Sequence, residues 1–409
     1  MNFLALVFAL AATNPLDFGA TPDDGLDDGA AFRDAAAEAC TSDHFLEVPA
    51  GVFEIDQEVG KLGGLNIHEC QGLSIVGKGR AASRIRMVPR VNTQTSYDYY
   101  LFNITSSSDI EISMLTLDGR RADFTGTAEQ VHLIRTYVVD RLDLHDMDLV
   151  DSFGAGIKNI DSDDVAAVNV RFRGHARGGF ESHSNSEDVR IVACSFADIA
   201  DQHIASEGGG GNTRWTLVGN NHLAHGTGTL LTHDIATITD VALVGNTIFN
   251  GGVQSYHVER FVYTGNIFTQ LEETGPINLY LKGKNRFGTV ANNSFYNLGL
   301  GSELYPLRIQ MLDTTRNPDS ITISGNVIQH AGPIGISFVS GTGRLALDAN
   351  VIESLSATGG VGVAISGGLS DLAQRGVVVS DNVIMNEGTS MQVGFGACTN
   401  CSQDNVAVE

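Results

Sequence analysis

A short frame recurs through the second half of the chain. Seven times an Asn closes a β-branched or apolar run and is followed two residues later by Ile, Leu or Phe. The copies are Asn221-His-Leu, Asn246-Thr-Ile, Asn266-Ile-Phe, Asn293-Ser-Phe, Asn326-Val-Ile, Asn350-Val-Ile and Asn382-Val-Ile. Successive Asn positions lie 25, 20, 27, 33, 24 and 32 residues apart. A period of that length implies stacked coils. Each period holds short strand-like runs rather than helical ones, so the solenoid is a β-helix. Equivalent residues of neighbouring coils then stack at about 4.8 Å. Earlier coils keep the frame without Asn, as in Asp109–Leu117, Asp164–Phe172 and Asp188–Phe196, where Cys194 takes the Asn place and is read as a buried free thiol. The Asn positions are structural: Asn tolerates a left-handed corner and stacks into an inward ladder.

The 409 residues would suit two or three domains, but a continuous repeat argues for one elongated unit. With 25 basic and 48 acidic residues the net charge is −23, which counts against nucleic-acid binding, since that needs a basic face. A polyanionic partner needs local basic residues or a bridging cation; calcium is kept open in that role, although no cofactor is required. Residues 1–12 read as a secretory signal cleaved after Ala11 or Ala12, although no Lys or Arg precedes the apolar run. That run is too short to span a membrane. Residues 13–60 are assigned to a cap and first strands, and 61–409 to the solenoid. A secreted or periplasmic location permits disulfides Cys40–Cys70 and Cys398–Cys401.

The N-terminal part carries Asp17-Phe-Gly-Ala, Asp23-Asp-Gly, Asp27-Asp-Gly-Ala-Ala-Phe, then Val48-Pro-Ala-Gly-Val-Phe. This pattern resembles the N-terminal module of the pectate-lyase-like superfamily, from about Leu16 to the C-terminus when taken with the repeats. The resemblance implies an all-β fold: a single-stranded, right-handed parallel β-helix with a capping helix near residues 29–40. The superfamily spans lyases, hydrolases, epimerases and non-enzymatic adhesins, so it implies less about function.

Each coil has another strand upstream of the frame, and placing its aliphatic residues inward assigns its outer face. Phe180, Ser182, Ile204, Ser206, Leu230, Thr232, Tyr256, Val258, Ile277, Leu279, Leu281, Leu307 and Ile309 then point in. Glu181, His183, His203, Glu207, His233, Ser255, His257, Glu259, Asn278, Tyr280, Lys282, Arg308 and Gln310 point out. Later coils present only Gly335, Ser337, Gly362 and Ala364 there. A one-residue slip would reverse these assignments.

Histidines, a phenol and two cations on one face suit proton abstraction beside a uronate carboxylate. The expectation is a polysaccharide lyase acting by β-elimination, or a C5 epimerase. His233 or His257 removes the C5 proton, Tyr280 donates to the leaving oxygen, and Lys282 and Arg308 neutralise the carboxylate. Lys158, Glu181, His183, His203, Glu207, Glu259, Asn278 and Gln310 line the substrate path. Asp201-Gln-His203 is similar to the Asp-Pro-His motif of β-helix mannuronan epimerases, with Gln at the Pro position. Glu181, Glu207, Asp234 and Glu259 keep open a glycoside hydrolase with paired carboxylates. A non-enzymatic glycan binder is the third reading. His233 and His257 with Asp234 or Glu259 could ligate a transition metal, but surface histidines without metal are the expectation. A monomer is expected.

Overall fold

A computed structural model describes the chain except for residues 1–11, 59, 90–97, 125–129, 208–212, 224–229, 233–237, 272–276, 284, 298–305, 311–318, 330–333, 340–343, 355–360, 367–376, 387–392, 396–401 and 409. The proposed signal, apart from Ala12, and the Cys398–Cys401 pair lie outside the described residues.

The chain is a right-handed parallel β-helix. Its first face is one sheet of 13 strands, from Gly63–His68 through Tyr99–Thr105, Val131–Tyr137, Ile157–Ile160, Phe180–His183, Ile204–Glu207, Leu230–Thr232, Val253–Tyr256, Leu279–Lys282 and Leu307–Gln310 to Val393–Phe395. The other 26 strands line a second and a third face. In one coil, Phe180–His183 is on face 1, Glu187–Val192 on face 2 and Ser195–Ala197 on face 3. Pairing is parallel throughout, because each strand meets its equivalent one turn later.

The helix Gly29–Thr41 caps the first coil as expected. Ala31, Phe32, Ala35, Ala36 and Ala39 are buried, and Phe32 packs edge-on against Phe53 with ring centroids 5.1 Å apart. Arg33 Nη1 donates to the Gly64 carbonyl at 2.9 Å. The Cys40–Cys70 disulfide ties the end of the helix to the turn just after the strand Gly63–His68, with Cα atoms 5.5 Å apart. An uncovered first coil would expose apolar core and a sheet edge, which this cap removes.

The Asn ladder forms, with one shift. Its first Asn is Asn220, which is fully buried, whereas Asn221 is exposed. Asn220 Nδ2 donates to Asn246 Oδ1 at 2.9 Å, and the chain of amides continues through Asn266, Asn293, Asn326 and Asn350 to Asn382. The left-handed corner belongs to the residue before each Asn, as at Gly245 (φ 64°) and Asp381 (φ 51°). Cys194 heads the ladder: it is buried and free, and its N–H donates to Asn220 Oδ1 at 2.8 Å. Burial pushes its thiol up to about 11. The first copy of the frame is therefore Asn220-Asn221-His222, and His222 takes the inward Ile or Phe position, opposite Phe196 and Ile248. Rings stack down this column, Phe172 on Phe196 at 4.6 Å and Phe196 on His222 at 4.8 Å.

Candidate functional site

Face 1 runs through 13 strands, and its outer surface carries several of the polar side chains singled out above. Backbone register fixes two columns of facing positions. One runs Arg135, Lys158, Glu181, Ala205, Leu231, Gln254, Tyr280, Arg308, Ser337. The other contains Tyr137, Ile160, His183 and Glu207, and further on Tyr256, Lys282 and Gln310.

Glu181 and His183 meet, and Lys158 stands opposite Glu181 on the neighbouring strand. Glu181 is 2% exposed. Its Oε1 accepts the Gly178 N–H at 3.1 Å and lies 3.5 Å from Arg177 Nε, while Oε2 lies 3.6 Å from His183 Nε2. Burial opposes its ionisation, but the His183 contact and the Arg177 guanidinium outweigh burial and hold the carboxyl down to about 2. Burial also pulls the Lys158 ammonium below its ordinary value. Lys158 Nζ donates to Gln130 Oε1.

The sequence reading missed Arg135, which sits directly opposite Lys158. Its guanidinium lies 5.3 Å from the ring centroids of both Tyr100 and Tyr137 and donates to Asn103 Oδ1 at 2.9 Å. Continuing the alternation backward from Ile157 to Ile134 would have found it. Like charges placed opposite one another weaken a sheet, so stability does not explain the Arg135–Lys158 pair. Burial pushes the Tyr100 phenol up to about 12.

The second cluster lies five strands along. Lys282 Nζ donates to the Tyr256 hydroxyl at 2.9 Å and sits 4.6 Å from the Tyr256 ring centroid and 5.8 Å from that of Tyr280. The Arg308 guanidinium lies 5.5 Å from the Tyr280 centroid on the adjacent strand. Tyr256 donates to Gln254 Oε1 at 3.2 Å. Burial raises the Tyr280 phenol above its ordinary value, against the pull of Arg308 and Lys282. A phenol so raised keeps its proton at neutral pH and serves as a donor, not as a base.

Five residues expected on the outer face are placed elsewhere, and Tyr256, expected inside, lies on it. In the strand Val253–Tyr256 it is Val253 and Ser255 that are buried, so Tyr256 points out. His257 follows at a left-handed corner (φ 53°) and is 4% exposed. That corner resets the alternation, so Glu259 belongs to the face-2 strand Val258–Thr264. His203 precedes its strand and lies in the core, 5.7 Å from Phe196 and 5.5 Å from His222 between ring centroids, with the two Nδ1 atoms 3.3 Å apart. The Asp201-Gln202-His203 triplet therefore does not present its histidine on the outer face. Asn278 also precedes its strand and is 2% exposed, its Nδ2 buried with no hydrogen-bond acceptor among the described residues. His233 and Asp234 lie outside the described residues, and only the backbone register is known for Glu207 (opposite His183) and Gln310 (opposite Lys282). Of the four carboxylates of the hydrolase reading, Glu181 is engaged by His183 and Arg177 and Glu259 is on another face, while Asp234 lies outside the described residues. Among the described residues, no three His, Cys, Asp or Glu side chains group as metal ligands would. No described helix is long and apolar enough to cross a membrane.

This architecture is the right-handed parallel β-helix. The solved structures similar to this chain include the following three. The A-module of mannuronan C-5 epimerase AlgE6 from Azotobacter vinelandii superposes with a TM-score of 0.68 at 15% identity, over 91% of this chain and 98% of that one. The catalytic unit of a GH87 α-1,3-glucanase from Streptomyces thermodiastaticus gives 0.57 at 14% identity, over 97% and 70%. The N-terminal fragment of gene product 12 of bacteriophage Phi29 gives 0.59 at 14% identity, over 91% and 66%. No family model matches the chain. No curated protein matches it in sequence.

Proposed function

We propose that this chain is a secreted polysaccharide-active enzyme that abstracts the C5 proton of a uronate unit bound on face 1, as a lyase or a C5 epimerase. One observation carries the reading. In a chain of net charge −23, four basic side chains stand on the face-1 strands, Arg135 and Lys158 side by side and Lys282 and Arg308 packed around Tyr256 and Tyr280, whereas Arg190, Arg214 and Arg260 on face 2 are ion-paired with Asp164, Asp188 and Asp240. Arg308 and Lys282 neutralise the uronate carboxylate and stabilise the enediolate formed when the proton leaves. His233, next after the strand Leu230–Thr232, is the base; His257 is withdrawn from that role by its burial. For elimination, the C4–O bond breaks as the electron pair returns, and Tyr280 protonates the leaving oxygen. For epimerisation, a proton returns to the opposite face of C5. Arg135, Lys158, Glu181 and His183 line a further stretch of the path. The epimerase and glucanase matches agree with a glycan as partner, and the Cys40–Cys70 disulfide with an oxidising compartment.

Kinetics of three variants test this. Tyr280→Phe should lower kcat about 10²–10⁴-fold with KM little changed, since the ring stays and the proton donor goes. Arg308→Ala should impair both parameters. His233→Ala should abolish turnover; wild-type activity in that variant would remove the proposed base.

A further inference from the structure

A cleft of about 630 Å³ opens where face 3 turns back toward face 1, well within the size range of ligand sites. Its wall is built from the residues that follow face-3 strands Thr116–Asp118, Asp148–Val150 and Arg171–Arg173. The lining carries three arginines and four aspartates, so it has no excess positive charge. That sets it apart from face 1.

Two carboxylates in it differ in kind. Asp118 is saturated: Oδ2 takes Arg84 at 3.2 Å and Arg86 at 3.3 Å, and Oδ1 accepts the Arg120 N–H at 2.9 Å. Asp151 is part-buried, and no described residue hydrogen-bonds or ion-pairs with its carboxylate. Burial, and then the Asp118 charge, raise its pKa. The carboxylate lies over Gly174, where φ is +76° and an added Cβ would come within 2.1 Å of Asp151 Oδ1. Beside it, Arg121 Nη1 donates to the Gly174 carbonyl at 3.3 Å, leaving its other N–H groups available to a ligand. Phe153, backed by Phe124 with centroids 6.1 Å apart, supplies a part-buried aromatic wall.

We propose that this cleft binds one unit of a neutral glycan. Its ring lies against Phe153, Asp151 accepts hydrogen bonds from neighbouring hydroxyls, and Arg121 donates to another. An acceptor, a forked donor and an apolar plane match the two chemistries of a pyranose, its hydroxyl edge and its C–H face. The near balance of charge disfavours a polyanion. Binding here is independent of the reaction on face 1.

Calorimetric titration of the full chain with cellohexaose, maltohexaose and mannohexaose tests this. At least one should bind with a submillimolar Kd, and Asp151→Ala should weaken that binding tenfold or more. The turnover of a uronate polymer should be unchanged in Asp151→Ala. Absence of binding for all three hexamers would overturn the proposal, as would equal binding by wild type and variant. Should Asp151→Ala not fold, Arg121→Gln, which alters a part-exposed side chain, carries the same expectation and the same refutation.

Discussion

Asn220 and Asn221 are adjacent and chemically identical, yet they sit on opposite sides of the solenoid wall. Asn220 Nδ2 donates to the Ile191 carbonyl and to Asn246 Oδ1, both at 2.9 Å, and its Oδ1 accepts the Cys194 N–H at 2.8 Å. Asn220→Ala removes all three, at a net cost of about 1 kcal/mol each, and leaves a buried N–H and a buried C=O without their side-chain partner. The expected loss is about 3 kcal/mol. With a urea slope of about 3 kcal/mol/M, the unfolding midpoint should fall by roughly 1 M. Asn221 is exposed, and Asn221→Ala should stay within about 0.5 kcal/mol. Parallel urea titrations monitored by far-ultraviolet circular dichroism measure both. Equal shifts, or a silent Asn220→Ala, would refute the ladder as a source of stability.

Ile328, fully buried on the column of stacked side chains, should not tolerate Asp: Ile328→Asp should leave no cooperative unfolding transition, because it buries an unpaired charge. Reduction of Cys40–Cys70, which closes a separation of 30 residues, should cost about 3–4 kcal/mol, measurable as a lower midpoint in dithiothreitol. Burial holds His132 and His175 down to about 3, whereas the unfolded chain titrates near 6.5. The unfolded state alone then takes up protons between those values, so stability is full above about pH 6.5 and falls toward pH 3. A stability profile flat from pH 7 to pH 4.5 would contradict that burial. Because Arg308 and Lys282 supply the charge that meets the substrate carboxylate, activity should survive chelation with EDTA; loss restored by calcium would contradict this.

The fold was legible because stacking forces a repeat: the Asn frame, the Asp-rich entry and the cap helix are local patterns that serve a single architecture. The site was legible only where a strand was long enough for alternation to hold. Lys158, Glu181, Tyr280, Lys282 and Arg308 sit within strands, and their faces follow from flanking aliphatics. His203, His257 and Asn278 sit at strand entries or corners, where backbone turns break period-2 counting. Alternation with Val258 places Tyr256 inward, but the left-handed corner at His257 breaks that count, and the Tyr256 hydroxyl accepts from Lys282 on the outside. The Asn220–Asn221 ambiguity has the same root: two identical residues at a turn, where a one-residue choice decides which is buried.

The most direct test of uronate chemistry on face 1 is incubation of the full chain with uronate polymers in D2O, followed by nuclear magnetic resonance of C5 and by ultraviolet absorbance. Loss of C5 protium, or appearance of an unsaturated uronate chromophore, is the predicted result, since both outcomes begin with the same proton abstraction. New reducing ends with neither signal, or binding without any change at C5, would contradict the account.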